Sequence, residues 1–136
     1  MKLNTLIPNL AVDDIRQTVQ FYCENLGFEL VMAVPETQDG IDPQLLDDKV
    51  YVFAMLKKDN ATLMFQRKVT FPEDVVLAGI GYLQGNGIDA FYEELKSRNL
   101  QISEMKLTQY GIKEFYVKDN SGYFLGFAEE MEKSVE

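Results

Sequence analysis

Two stretches of this 136-residue chain, about 1–68 and 76–130, spell the same order of elements. Each reads as a strand, a helix and then three strands, and an internal repeat of this kind constrains the fold more than any other feature. In the first stretch Leu6–Ala11 reads as a strand, and Asp13 and Asp14 then offer a cap to a helix. Its apolar residues Ile15, Val19, Tyr22 and Leu26 recur at helical spacing, and Gly27 ends it. Strands are expected at Phe28–Met32, Val50–Leu56 and Leu63–Arg67. A polar loop runs from Pro35 to Asp48, in which Pro43–Leu46 is expected as a helical turn.

The second stretch predicts a strand at Gly79–Leu83, a turn at Gly85–Gly87 and a helix with Ile88, Phe91, Tyr92 and Leu95 on one face. Strands follow at Leu100–Ser103, Lys113–Val117 and Tyr123–Phe127. The helices superpose at a constant shift of 73, Ile15 on Ile88 and Tyr22 on Leu95. The hairpins superpose at a shift of 60, where Lys58-Asp59-Asn60 matches Lys118-Asp119-Asn120. The competing explanation for that second match is that Asp-Asn pairs are common in turns. The expected fold class is therefore α+β: one domain over 1–136, its two βαβββ half-repeats forming a curved mixed sheet that makes a cup, with the helices on the outer face.

Composition removes whole classes of function. The chain has 13 basic and 22 acidic side chains, a net charge of -9, which repels nucleic acid and anionic membrane surfaces. With no histidine there is no Ser-His-Asp or Cys-His nucleophile and no histidine-bound metal. A lone Cys23 cannot close an intramolecular disulfide, so a reducing cytoplasm is expected. The start of the chain does not read as a signal peptide, and the apolar run Val50–Leu56 is too short to span a bilayer.

Leu10-Ala11-Val12-Asp13-Asp14-Ile15, then Phe21-Tyr22 and Leu26-Gly27-Phe28, resemble the opening of the vicinal oxygen chelate superfamily of glyoxalases, bleomycin-resistance proteins and extradiol dioxygenases. Asp119-Asn120-Ser121-Gly122-Tyr123 is similar to that family's late hairpin, and Pro8-Asn9-Leu10 to the start of its bleomycin-binding members. The resemblance implies a metal site with one residue from the first and one from the last strand of each half. By motif those positions are Ile7, Gln66, Ile80 and Gly126, two hydrocarbons, an amide and a hydrogen. They do not supply the lone pairs of a divalent site, so no metal and no other cofactor is expected. The metal-free branch implied by the resemblance sequesters drugs as dimers, so a homodimer with a small organic ligand is the expectation.

Strand alternation puts Met64, Gln66, Phe124 and Gly126 in the cup, with Leu63, Phe65, Leu125 and Phe127 against the helices. Gln66 is either a ligand contact or a structural amide, and Gly126 either leaves room or marks a bulge. Tyr51, Phe53 and Met55 share one strand face, as cavity lining or as core. Tyr110 sits in an expected loop over the site, Glu114 either reaches the cup or faces outward, and Asn9 joins the expected ligand contacts. The acidic loop residues Asp39, Asp42, Asp47 and Asp48 lack calcium-loop spacing and are expected to be solvated. Three functions remain: a binding protein of the drug-sequestering kind, a metal-free lyase or isomerase using Glu114 with Tyr51 or Tyr110, and a non-catalytic domain filled by its own side chains.

Overall fold

The computed structural model describes residues 2, 5, 7–68 and 80–131. Leu6 and Gly79, each expected to open a strand, lie outside the described residues, as does the side chain of Ile80. The chain divides into two compact units, Met1–Leu77 and Ala78–Glu136.

The first unit contains β1 (Asn9–Val12), α1 (Ile15–Leu26), β2 (Glu29–Pro35), β3 (Tyr51–Lys58) and β4 (Ala61–Arg67). Its sheet has the order β1-β4-β3-β2, with β1 parallel to β4 and the other pairs antiparallel. Asp14 is the residue that caps α1, its carboxylate accepting from the Gln17 amide at 3.0 Å. Gly27 ends the helix with φ at 80°, a left-handed conformation that costs glycine nothing. Ile15, Val19, Tyr22 and Leu26 are buried against Leu63, Phe65, Ala54 and Leu56 on one face of the sheet. The Tyr22 ring lies 4.8 Å from Phe65 and 5.5 Å from Phe28.

The second unit contains β5 (Ile80–Gln84), α2 (Ile88–Lys96), β6 (Gln101–Ile102), β7 (Lys106–Leu107), β8 (Ile112–Lys118) and β9 (Phe124–Glu130). The order β5-β9-β8-β6 repeats that of the first unit, and β5 is likewise parallel to β9. One expected edge strand is here two short ones, β6 and β7, both paired to β8. Phe127 stacks on Phe115 at 5.4 Å, and Phe91 and Tyr92 from α2 close over them. Gly87 brings no side chain to the start of α2, and the Glu129 carboxylate on β9 accepts from the Ile88 amide at 3.0 Å instead. The protein is thus α+β, with a helix on one face of each sheet.

The ladders revise how the halves correspond. Asn9 pairs with Met64 and Tyr82 with Gly126, so first strands related by 73 require last strands related by 62. The shift of 60 holds for the turn letters only. Asp59 and Asn60 form a two-residue turn between the paired Lys58 and Ala61, with Asp59 at φ 52°. Asp119 is buried and its carboxylate accepts from the Ser121 and Tyr123 amides, both at 2.8 Å, so its role differs. Two further expectations fail: β2 runs on to Pro35, and Pro43–Leu46 forms no helical turn.

Candidate functional site

In the first unit the sheet face away from α1 carries two rows that cross the strands. Met32, Met55, Met64 and Asn9 are successive partners in one row, and Val34, Phe53, Gln66 and Ala11 in the next. Partners across a ladder share a face, so these side chains stand together. Asn9 and Gln66 meet directly, the Asn9 amide donating to the Gln66 carbonyl at 3.1 Å. Apart from buried Ala11 and exposed Asn9, the members of both rows are half-buried. The face is apolar and thioether-rich, with a paired carboxamide at its β1–β4 edge.

Tyr51 does not join Phe53 on that face. The β2–β3 register shifts between Val34 and Pro35, so Tyr51 and Val52 together answer Pro35, the signature of a bulge. A bulge breaks strict alternation, and Tyr51, 3% exposed, lies under the Arg16 guanidinium of α1 at 5.7 Å. Its hydroxyl donates to Asp42 at 2.8 Å and accepts from the Leu46 amide at 2.8 Å. Lys49 pairs with the same carboxylate at 3.0 Å, and Arg16 donates to the Lys49 carbonyl at 2.8 Å and to the Leu46 carbonyl. The Tyr51 hydroxyl and the Lys49 ammonium hold the Asp42 carboxyl below its ordinary range. The expectation of a solvated Asp42 is therefore corrected: it is a tie for the segment 36–50, and one that residue spacing alone does not signal.

In the second unit the face away from α2 carries Glu114, Tyr116 and Lys118 of β8, partnered by Ala128, Gly126 and Phe124 of β9. Gly126 sits in an unbroken register, so it is not a bulge. Its cross-strand partner is the aromatic Tyr116, which sequence reasoning missed although it is two residues from Glu114 on the same strand. Phe124 is 46% exposed, with the Lys118 ammonium 5.9 Å from its ring. Glu114 is half-buried on this face. Tyr110 is 71% exposed in the turn between β7 and β8.

These registers also test the fit of a metal. With last strands related by 62, the counterpart of Gly126 is Met64, and that of Gln66 is Ala128. Ladder pairing thus gives Met64 as the within-repeat counterpart of Gly126, beside the set Ile7, Gln66, Ile80 and Gly126 expected by motif. The residue types do not fit a divalent ion with either Gln66 or Met64 in the set: two hydrocarbons, a hydrogen and one amide or thioether are too few donors, and Ile7 is a 37% exposed hydrocarbon ahead of β1. Among the described residues no three of His, Cys, Asp and Glu group together. Cys23 offers no activated thiol, because burial pushes its pKa up. No helix among the described residues is long and apolar enough to cross a membrane.

The chain is similar to several solved structures at an identity that speaks for fold alone. TioX from Micromonospora sp. ML1 is 18% identical, with 94% of this chain and 99% of that one covered and a TM-score of 0.71. The bleomycin-binding protein from bleomycin-producing Streptomyces verticillus, complexed with copper(II)-bleomycin, is 19% identical over 93% and 96%, with a TM-score of 0.64. A glyoxalase-related enzyme from Clostridium phytofermentans is 18% identical over 96% and 98%, with a TM-score of 0.70. No protein of curated function matches by sequence. The model of the Glyoxalase/Bleomycin resistance protein/Dioxygenase superfamily matches residues 3–127, nearly the whole chain, and the protein belongs to that superfamily.

Proposed function

We propose that this protein binds a small, partly aromatic organic molecule on the open faces of its sheets, without a metal or other cofactor. In this reading it sequesters its ligand, an antibiotic being one candidate, as a cytoplasmic homodimer. The support for the proposal is chemical: the positions that the family resemblance assigns to metal ligands, Ile7, Gln66, Ile80 and Gly126, carry two hydrocarbons, an amide and a hydrogen, and the first unit has a thioether-rich, amide-edged face. Apolar faces with a few convergent polar groups suit organic ligands. At about 25 cal/mol per Å² removed from water, covering 150 Å² of ligand ring contributes about 4 kcal/mol. The net charge of -9 draws cationic ligands by long-range attraction. Structural neighbours that bind bleomycin support the reading at the level of fold.

In the metal-free enzyme reading the Tyr51 hydroxyl is already engaged by Asp42 and Leu46, which leaves Glu114 with the exposed Tyr110 as its acid-base pair. Isothermal titration of the purified protein against bleomycin and other planar cationic compounds tests the proposal. Saturable heat with a stoichiometry of one ligand per chain or per pair of chains is expected. Absence of heat with every compound overturns it.

A further inference from the structure

We propose that the open face of the first unit selects a flat, polarisable ring system ending in a carboxamide or lactam edge, with rings over Met32, Met55 and Met64 and the edge on Asn9 and Gln66. This rests on the binding role proposed above and names the ligand class.

The three methionines are successive ladder partners on β2, β3 and β4, and Asn9 on β1 continues the row. At about 4.8 Å per strand the thioethers span roughly 10 Å, the length of two or three fused rings. Thioether sulfur is polarisable, its side chain is unbranched and adaptable, and it makes favourable contacts with aromatic rings. A saturated ligand gains the buried area but not those contacts. Phe53 in the next row adds a ring beside Gln66, its ladder partner.

The edge preference follows from the hydrogen bond between Asn9 and Gln66. After it forms, Asn9 keeps its carbonyl and one N–H, and Gln66 keeps its NH2 and one carbonyl lone pair, so the pair presents donors and acceptors side by side, and turning both amides over leaves the same complement. A carboxamide or lactam offers a donor and an acceptor side by side and satisfies both. A carboxylate offers only acceptors and an ammonium only donors, so each leaves one member unmatched, and such mismatches discriminate strongly when groups are desolvated. None of the side chains in the two rows is ionisable, which favours a neutral edge over a charged one.

The test uses the full chain labelled with carbon-13 at the methionine methyls, titrated with naphthamide, naphthoate and the fully saturated decalin carboxamide. Of the six methionines, Met105 and Met131 belong to the second unit and serve as references. Naphthamide is expected to shift the Met32, Met55 and Met64 signals and to bind about tenfold tighter than the other two probes. Met55→Leu and, in parallel, Met64→Leu are each expected to weaken naphthamide about twofold to tenfold more than they weaken the saturated amide. Gln66→Leu is expected to abolish the preference for amide over carboxylate. Equal affinity for all three probes overturns the ligand class while leaving a binding role intact. Heat with bleomycin but no movement of the three methyl signals with any probe overturns this face as the selector. Silence from every probe and from bleomycin overturns both proposals.

Discussion

Phe65 and Gln66 are neighbours in sequence on opposite faces of β4, and truncating each to alanine separates what holds the unit together from what its open face presents. Phe65 is fully buried, with its ring 4.8 Å from Tyr22 of α1. Removing a buried aromatic ring gives up about 25 cal/mol per Å² over roughly 150 Å², or about 4 kcal/mol, and leaves a cavity under the helix. A protein of this size has roughly 5–15 kcal/mol in total, so Phe65→Ala consumes a large part of it. At roughly 3–5 °C per kcal/mol, the melting temperature falls by about 10–20 °C. Gln66→Ala loses one exposed hydrogen bond to Asn9, about 1 kcal/mol at most, or a few degrees. Urea unfolding followed by circular dichroism, with thermal melts in parallel, measures both. Equal losses in the two variants, or a Phe65→Ala protein within 1 kcal/mol of the parent, would refute the assignment of faces on which the candidate site rests.

Three further outcomes are expected. Tyr51→Phe removes the hydroxyl that lowers the Asp42 pKa, leaving the Leu46 amide without its phenol partner. A lowered carboxyl stabilises the fold above its unfolded pKa and loses that contribution as pH falls through the folded value. The variant therefore shows a shallower loss of stability in acid, read from melts across the acidic range; an unchanged slope would contradict the tie. Gly27→Ala must hold φ at 80° and is expected to destabilise by about 1 kcal/mol; among the described residues the close atoms belong to the flexible ammonium end of Lys58, which can move aside; urea midpoints check this. Glu129→Ala leaves the first amide of α2 without its carboxylate and costs about 1 kcal/mol, and faster amide exchange at Ile88 by nuclear magnetic resonance is the readout.

Much of the fold was legible because its signals are local. The helix period of Ile15, Val19, Tyr22 and Leu26, the cap at Asp14 and the stop at Gly27 each act within a turn or two. Strand alternation likewise separated Leu63 and Phe65 from Met64 and Gln66, because β4 is regular. Alternation failed at Tyr51, where one extra residue at Val52 turns the side chain toward α1, and bulges have no reliable local spelling. The repeat shift of 60 fails in the hairpins because identical turn letters do not mark equivalent positions; ladder pairing sets equivalence. The Glu129 carboxylate at the start of α2 is 41 residues from the amide it serves, a distance over which no pattern carries. The row of methionines is of the same kind, since Met32, Met55 and Met64 become neighbours only through two registers.

The parallel closure of β1 on β4 has a consequence for the order of folding. Asn9 and Gln66 are 57 residues apart, whereas β3 and β4 are joined by a two-residue turn. Short-range pairings form in microseconds, while long loops must be closed before distant strands are rewarded for meeting. Within the first unit β1 is therefore expected to dock last, and until it does that edge of β4 is open to other strands. The amide pair comes into being in that final step, so a molecule held there would recognise only completed folds and, by mass action, protect the newly made protein against reopening.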